Sequence, residues 1–309
     1  MITWALLLSV LQGTIASGTS ILYATLGGIM SARVGINNMG IEGIMLMGAA
    51  MGYGGALRSG NPWIGLLWAL AAGALLGLAY AVFVIALRAN QVVTGLAFVG
   101  LGVGLSGYIG RAFVSHLLPL PFRPVAVPLL GDIPFLGPAL FQHDPLVYLS
   151  YVLVPALWWF MFRSRPGLHL RAVGENPSAA DSAGINVAGT RYFYVAVGGA
   201  LAAAGGAYLS LAYSPLWVEQ LTAGRGWIAI ALVPFSSWNP LGALAGAYLF
   251  GGIDASVLRL QAIGAHVEPF LLNALPYLFT VVALIVSSIL RGRVLGPAAL
   301  GQVYDRETR

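Results

Sequence analysis

Residues 163–191 read RSRPGLHLRAVGENPSAADSAGINVAGTR and form the longest polar interruption between strongly apolar segments of the chain. Such a polar stretch has to lie outside a bilayer. Within it, Asn176 followed by Pro177 is typical of a helix N-terminus, and Gly184 followed by Ile185 is typical of a helix C-terminus. Between these two signals the pattern predicts a helix of about two turns, roughly 10 Å long.

This short helix has two interpretations. Its small side chains, Ala179, Ala180 and Ala183, suit close packing against another surface, and a helix of this length is not stable alone in water. It is either a capped connector between two membrane spans or a docking helix for a soluble partner. The local sequence leaves both open.

Composition indicates the class of protein. Of the 309 residues, 59% are hydrophobic and 8% are charged, against about 25% charged in ordinary soluble domains. We therefore predict an all-α, polytopic integral membrane protein. There is no Cys, which excludes disulfides and thiolate sites. There is also no Lys, so the chain lacks the lysine of a P-loop ATPase.

A helix that crosses a bilayer needs about 20 apolar residues. Applied to the apolar segments of this chain, this length predicts about 8–10 transmembrane or re-entrant helices in a single transmembrane domain, residues 1–309. Two of the segments, 37–57 and 223–238, are short or Gly-rich and are candidates for broken or re-entrant helices. Each begins a similar Gly-rich run, which raises the expectation of a two-fold internal repeat. The predicted spans are 4–30, 37–57, 63–87, 92–109, 146–162, 192–212, 223–238, 240–257 and 271–290.

The arginines predict the orientation. If 163–191 is cytoplasmic, ten of the fifteen arginines fall inside and five outside, as the positive-inside rule requires. The C-terminus is then cytoplasmic and the N-terminus is outside. The loop 110–145 is also outside, and its seven prolines prevent it from being a span. We expect this loop to pack over the outer mouth.

Polar side chains within or beside the spans are the candidates for a substrate pathway, since such groups normally face a bundle interior or an aqueous path. Several have a simpler interpretation: asparagines at helix starts are usually caps, and Glu42 could bond to backbone groups freed by a broken helix. Glu219 and Arg225 are predicted to form a local ion pair. The pathway candidates are Asn37, Asn38, Glu42, Asn90, Gln91 and Thr94.

Catalysis is not expected. The four histidines fall in predicted loops without metal-ligand spacing, and no nucleophile motif is present. We predict neither catalytic residues nor a metal site in this chain.

Four stretches carry a resemblance to a known family. They are GLHLRAVGENPSAADSAGINV at 167–187, RVGINNMGIEGIMLMGA at 33–49, ANQVVTGLA at 89–97 and EQLTAGRGWIAIALVPFSSWNPLGALAGAYLFG at 219–251. Together they resemble the permease subunits of ABC importers in the nucleoside, simple-sugar and branched-chain amino-acid group, most of all the nucleoside-type permeases. The family usually has Gly-Arg before WNP, where this chain has Ser236 and Ser237, so no role is carried over to that basic residue.

The resemblance implies the remaining parts of the system. They are a second, non-identical permease subunit, a cytoplasmic ABC ATPase that holds ATP and Mg, and an extracytoplasmic solute-binding protein, all at the inner membrane of a prokaryote. It implies no cofactor in this chain and no nucleic acid partner. The loop 163–191 becomes an ATPase-coupling loop, with Arg171, Gly174, Glu175, Asn176, Pro177, Ala180, Asp181 and Gly184 as its main residues.

The implied substrate is a nucleoside, with a simple sugar, a riboflavin-like ligand or a branched-chain amino acid as alternatives. A rival from another class is an ATP-independent secondary transporter, which would need intramembrane carboxylates for ion coupling. Only Glu42 and Asp254 qualify for that role. A channel or scaffold is a second rival, but it would not need a capped docking helix in its inner loop.

Overall fold

The computed structural model describes residues 3–262 and 296–305, together with the single positions 278, 281 and 285. Its fold is all-α apart from one short antiparallel pairing of β1 (Val125–Ala126) with β2 (Gln142–His143). The predicted span 271–290 lies outside the described residues, except for three isolated helical positions. The helices are α1 (Thr3–Arg33), α2 (Ile41–Ser59), α3 (Pro62–Ala81), α4 (Gln91–Gly110), α5 (Leu136–Leu140), α6 (Pro145–Arg163), α7 (Arg165–Glu175), α8 (Pro177–Ser182), α9 (Val187–Tyr208), α10 (Arg225–Phe235) and α11 (Pro240–Ala262).

Five of the described helices are long and apolar enough to cross a membrane. Two of them are extended by π-helical turns, 82–86 after α3 and 209–213 after α9. Each of the other predicted spans in the described part also contains a helix, so the polytopic all-α prediction is confirmed. The five segments are Leu7–Arg33, Pro62–Ala86, Gln91–Phe113, Pro145–Arg163 and Val187–Tyr213.

Helix α9 lies at the centre of the bundle and packs on α1, α2 and α3. Its small residues allow the close approach, because a Cβ on Gly198 would collide with the backbone of Gly27 in α1. Between membrane helices, small residues at the contact let the backbones come near enough for dispersion to hold them together.

Loops collect at the two ends of the bundle. At the end that we call the tail end, residues 296–305 lie across the loops: Gly301 N donates to Gly35 O (3.0 Å) and Ala299 N to Gly174 O (2.9 Å). At the opposite end, the cap end, the loop 114–144 folds over the helices, and Phe122 N donates to Leu211 O (2.9 Å). This loop contains α5 and the strand pair but no spanning helix, as its prolines predicted.

Two elements start near the middle of the bundle. Residues 34–40 are irregular, and α2 begins only after them; Gly43, in its first turn, packs on Gly102 in the central part of α4. Residues 214–224 are likewise irregular, and they lead into α10, which has only 11 residues. The two segments suspected of being broken, 37–57 and 223–238, are thus mostly helical, and each helix begins directly after an irregular stretch. The two-fold internal repeat stays a prediction.

The predicted short helix in the loop 163–191 is present as α8. The Asn176 side chain accepts from Ala179 N (3.0 Å), and Gly184 has φ +84 while Ile185 N donates to Ala180 O (3.0 Å). The preceding amphipathic helix α7 was not predicted. Leu170 and Val173 bury its apolar side in the bundle core.

The predicted docking face is wrong at one position. Ala180 is only 4% exposed and packs into the core of its own chain, whereas Ala179 and Ala183 are exposed. The sequence grouped all three alanines as one small-residue face, but α8 packs on α7 and α9, and Ala180 lies on the packed side. The free surface of α8 is therefore formed by Ser178, Ala179, Ser182 and Ala183.

Candidate functional site

The carboxylate of Glu42 holds the two broken elements together. Its Oε1 accepts hydrogen bonds from Thr222 Oγ1 (2.6 Å) and Gly224 N (3.1 Å), and its Oε2 accepts one from Gly226 N (2.6 Å). Glu42 is 6% exposed. The first N–H groups of a helix have no partner within the helix and carry partial positive charge. Glu42 therefore caps the N-terminus of α10 from the first turn of α2.

The contact also demands a glycine. A Cβ on Gly226 would lie 2.5 Å from Glu42 Cα, so any larger residue would push the two helix starts apart. Gly224 has φ +82, a left-handed conformation that glycine adopts without strain. The interpretation of Glu42 as a ligand for freed backbone groups agrees with this geometry, and its role as a gate stays a prediction.

Asn37 and Gln91 meet at the tail end. Asn37 N donates to Gln91 Oε1 (2.7 Å), and the Tyr80 hydroxyl lies within hydrogen-bonding distance of Asn37 O (2.8 Å) and Gln91 O (2.9 Å). The irregular segment 34–40 is thereby fixed to α3 and α4. The pathway candidates from two distant stretches of sequence are thus neighbours.

Other pathway candidates act mainly as caps. Asn90 is exposed, and its Oδ1 accepts from Val92 N (3.0 Å) and Val93 N (3.1 Å) at the start of α4. Asn38 accepts from Gly40 N (2.9 Å) just before α2. Thr94 is buried one turn into α4. These contacts match the simpler interpretation of the asparagines.

Two of the cavities in the described part lie on either side of the Glu42 contact. The inner cavity, about 250 Å³, is on the tail side and includes Asn37, Asn38 and Ile41. The outer cavity, about 240 Å³, is on the cap side and includes Leu46, one turn after Glu42. Glu42 itself lines neither cavity; it lies on α2 between Ile41 of the inner cavity and Leu46 of the outer one.

The predicted ion pair between Glu219 and Arg225 is wrong. Arg225 Nη2 instead bonds Asp254 Oδ2 (2.8 Å), which also accepts a hydrogen bond from Ser17, and its guanidinium lies 5.4 Å from the Tyr213 ring centroid. The side chains of Arg225 and Asp254 are 15% and 32% exposed. A largely buried charge needs an oppositely charged partner. Arg225 finds it in Asp254, which is 29 residues away in the sequence and could not be identified from the local sequence.

The turn after α10 has a basic partner that the sequence did not reveal. Arg33 Nε donates to Trp238 O (2.9 Å) and its Nη2 to Ser237 O (3.3 Å). A cation near the last carbonyls of a helix interacts favourably with the helix dipole. The turn itself has Ser236 and Ser237 before Trp238 and no basic residue, and α1 supplies one.

Several residues predicted for the coupling loop hold the chain's own tail segment. Glu175 Oε2 accepts from Ala298 N (3.1 Å), Gly174 lies against Arg33 O, and the Arg171 guanidinium sits 5.4 Å from the Phe162 ring centroid. Pro177 starts α8, and Asp181 is partly buried within it. This part of the loop and the tail segment together form a platform, with the exposed side of α8 on its surface.

Comparison with known proteins places the chain in a family. Residues 10–288 match the family model described as branched-chain amino acid transport system / permease component. The chain belongs to this permease family. The resemblance read from the sequence is thereby confirmed, and the permease is a transport component and not an enzyme.

Relatives of similar length support this assignment. The permease is 39% identical to a putative glucose ABC transporter permease protein, TsgC13, of Haloferax volcanii, over 96% of this chain and 97% of that protein. It is 35% identical to the guanosine ABC transporter permease protein NupQ of Bacillus subtilis (97% of both) and 34% identical to the nucleoside ABC transporter permease protein NupC of Lactococcus lactis (93% of both).

A solved structure has the same fold. The permease superposes with a TM-score of 0.52 on a putative metal-chelate type ABC transporter in an inward-facing conformation, covering 91% of this chain and 85% of that one. At 15% identity this likeness concerns the fold alone.

Proposed function

We propose that this chain is one of two membrane subunits of an ABC importer for a nucleoside, with a simple sugar as the second candidate. The observation that carries the proposal is the Glu42 contact, with a cavity on each side, in a chain related to ABC permeases over nearly its full length. Irregular backbone at membrane depth is tolerated where it lines a cavity or is buried in protein. Such a broken region is a suitable place for a solute to pass.

In this proposal the solute moves between the outer and the inner cavity when the Glu42 contact shifts. Asn37 and Asn38 lie on the inner side, and Gln91 fixes the backbone of Asn37. Thr94 and the Asn90 cap set the start of α4. The amide groups both donate and accept hydrogen bonds, which suits a polar, uncharged solute.

The importer needs partners for energy and for solute capture. A separate cytoplasmic ATPase supplies ATP binding and hydrolysis with its own Mg, an extracytoplasmic binding protein delivers the solute, and a non-identical second permease completes the pathway. The tail end faces the cytoplasm of a prokaryote, because six of the eleven arginines that the structure describes (33, 88, 163, 165, 171 and 191) lie near that end. The cap end then faces the binding protein.

The coupling element is the loop 163–191, with α8 as its contact helix. Ser178, Ala179, Ser182 and Ala183 are exposed there and allow another backbone to approach closely. The platform formed by α7 and the tail segment holds α8 rigidly. When the ATPase changes conformation, a rigid α8 would pass the displacement on to α6 and α9, the helices on either side of the loop.

The alternative of an ATP-independent secondary transporter is less well supported. Its two candidate coupling carboxylates are both engaged: Glu42 accepts three hydrogen bonds and Asp254 is paired with Arg225. A carboxylate that binds and releases a coupling ion has to be free for part of the cycle.

The solute is the open part of the proposal, since the named relatives include both sugar and nucleoside permeases. The test is uptake into cells that express the complete transport system, with labelled guanosine and labelled glucose and with leucine and riboflavin as competitors. We expect ATP-dependent guanosine uptake and co-purification of an ATPase. Glucose uptake without guanosine uptake would favour the sugar alternative, and uptake without any bound ATPase would refute the importer.

A further inference from the structure

The outer cavity lies between the cap-side half of α4 and the irregular segment 214–224. Its volume is about 240 Å³, and it is open on one side. Apart from three aliphatic or glycine positions on α4 and one leucine of α2, its lining is unusually polar for a membrane bundle. The polar and aromatic lining residues are Ser106, Tyr108, Arg111, Glu219 and Gln220.

The segment that supplies Glu219 and Gln220 descends from the cap end into the bundle. Trp217 packs against Gly110 at the end of α4, while Thr222, five residues later, bonds Glu42 near the middle of the bundle. Glu219 and Gln220 are therefore placed in the outer half of the bundle.

Two residues of opposite charge, Arg111 and Glu219, line this cavity but do not form an ion pair with each other. Arg111 and Glu219 are both exposed, and neither forms an ion pair with another described residue. Charged groups at membrane depth rarely face lipid, because their desolvation is costly. Glu219 lies in the outer half of the bundle, so the cavity that it lines is directed towards water or protein in the assembled transporter.

The same face has room for a ligand. A Cβ placed on Gly100 or Gly104 would meet no atom within 4 Å, and the Tyr108 ring is 76% exposed. On the opposite side of α4, by contrast, Gly102 is in tight contact with α2. The helix thus has one closed side and one side that nothing in the described chain covers.

We propose that the outer cavity is a binding subsite for a neutral ring that bears several hydroxyl groups, the ribose of a nucleoside or a hexose. This rests on the proposed function and specifies the solute chemistry at one place on its path. The guanidinium, carboxylate, amide and hydroxyl groups together offer donors and acceptors in balance with no net charge. Vicinal hydroxyls, each both a donor and an acceptor, match such a set.

The size and the aromatic ring fit the same ligand. A cavity of about 240 Å³ holds one sugar ring, and the rest of a nucleoside extends through the open side. The exposed face of Tyr108 offers a flat apolar surface for the carbon face of a sugar or for a base. An amino acid would pair its carboxylate with Arg111 and its ammonium group with Glu219, so leucine is the solute that discriminates between the two kinds of ligand in the test below.

The test uses the absence of native cysteine. We would introduce Val103→Cys in the cavity wall and, as a matched control, Val114→Cys, an exposed valine at the cap end outside the cavity. The complete importer with its binding protein is reconstituted in vesicles and labelled with a membrane-impermeant maleimide. Guanosine, glucose and leucine are each added at saturating concentration, with solute-free binding protein as the reference.

We expect guanosine or glucose to slow labelling at position 103 by about threefold or more, leucine to have no effect, and position 114 to be unaffected by any solute. Equal labelling with and without sugars or nucleosides would overturn the subsite, as would protection by leucine. No labelling of position 103 under any condition would also overturn it, because the cavity would then face lipid or be closed by the second permease.

A second measurement separates this inference from the proposed function. Gln220→Ala and Arg111→Gln should each reduce the initial rate of solute uptake by about tenfold while the ATPase still co-purifies and hydrolyses ATP. Normal uptake in both variants would remove the subsite and leave the importer intact. Loss of the ATPase from the native complex would instead count against the importer itself.

Discussion

Glu42 Oε2 lies 2.6 Å from the backbone nitrogen of Gly226, across 184 residues of sequence. This one carboxylate lies in the first turn of α2 and caps the first turn of α10. Two helix N-termini would otherwise bring partial positive charges together in a dry environment, which is unfavourable. The negative charge of Glu42 makes their meeting stable, and it makes the contact sensitive to any change in that charge.

We expect Glu42→Gln to assemble but to alter uptake. An amide has one acceptor oxygen, so its NH2 group must face either Gly226 N or the Thr222 and Gly224 donors. The loss should be about 1–3 kcal/mol of stability, measured by thermal melting of the purified protein, together with changed uptake kinetics. Thr222→Val, which removes one of three donors, should have a smaller effect on both. Unchanged uptake in Glu42→Gln would leave Glu42 with a purely structural role.

The Arg225–Asp254 pair should stabilise the contact between α10 and α11. Asp254→Ala leaves the guanidinium of Arg225 without its carboxylate, and we expect a loss of about 2–3 kcal/mol, below the 3–5 kcal/mol of a fully buried pair because both groups retain some exposure. Removing both charges with Arg225→Met and Asp254→Leu should recover much of this loss. If the double variant still takes up solute, Asp254 is not an ion-coupling group; abolished uptake in a stable double variant would revive that role.

The two neighbouring alanines of α8 should behave differently. Ala180→Trp should overpack the core and lower the stability of the permease by about 1–3 kcal/mol, because Ala180 is buried. Ala179→Trp, on the exposed side, should leave the melting temperature unchanged but weaken ATPase association or uncouple hydrolysis from uptake. Normal coupling in Ala179→Trp would return the loop to a capped connector.

The orientation can be tested by labelling on intact cells. Ser115→Cys at the cap end should react with an impermeant thiol reagent, and Ser178→Cys in α8 should react only after the cells are permeabilised. Both serines are exposed, so accessibility is not limited by burial. The reverse pattern would invert the topology and exclude an ATPase contact at α8.

Asp144 offers a test of the cap end. Its side chain caps α6 by accepting from Leu146 N (2.9 Å), and burial raises the pKa of its carboxyl above the ordinary value of 3.8. A raised pKa in the folded state means that the stability from this group falls as the pH rises from the unfolded-state value through the folded-state value. Asp144→Asn keeps the cap and does not titrate. Its free energy of unfolding, compared with that of the native protein, should therefore increase as the pH rises from the unfolded-state pKa to the folded-state pKa of Asp144.

Asp144→Ala is the control, because it removes the cap and should cost about 0.5–2 kcal/mol. The measurement is thermal melting at a series of pH values in detergent. A pH-independent difference between Asp144→Asn and the native protein would show that the buried carboxyl does not titrate in this range.

Local signals predicted much of the fold. Hydropathy located the long apolar helices but not α5 or α7. The Asn176 and Gly184 caps defined α8 to within a residue, because caps depend on a few neighbouring residues. The glycine-flanked Glu42 was recognised as a partner for freed backbone groups. The identity of those groups, in α10, could not be read from the sequence.

The failures share a physical cause. Arg225 was assigned to Glu219 because the two are near in sequence, yet the bundle brings Asp254 closer. Ala180 was assigned to a docking face because α7, which packs against α8, was not foreseen. Both errors come from contacts between elements that are distant in sequence. The polar lining of the outer cavity was missed for the same reason, since α4 and the segment 214–224 meet only in the folded bundle.

The tail segment also determines when, during synthesis of the chain, the structure of the tail end can be completed. The carbonyl of Gly35 is bonded by the N–H of Gly301, and Arg88 is paired with Asp305 at 2.7 Å. A chain emerging from the ribosome has already made the residues of α1 and α3 long before residue 301 appears. The helices can enter the membrane during that time, but the platform beneath α8 is completed only after the tail segment has been synthesised and has folded back. The platform is thus completed last, so nascent chains and chains truncated before residue 298 lack it.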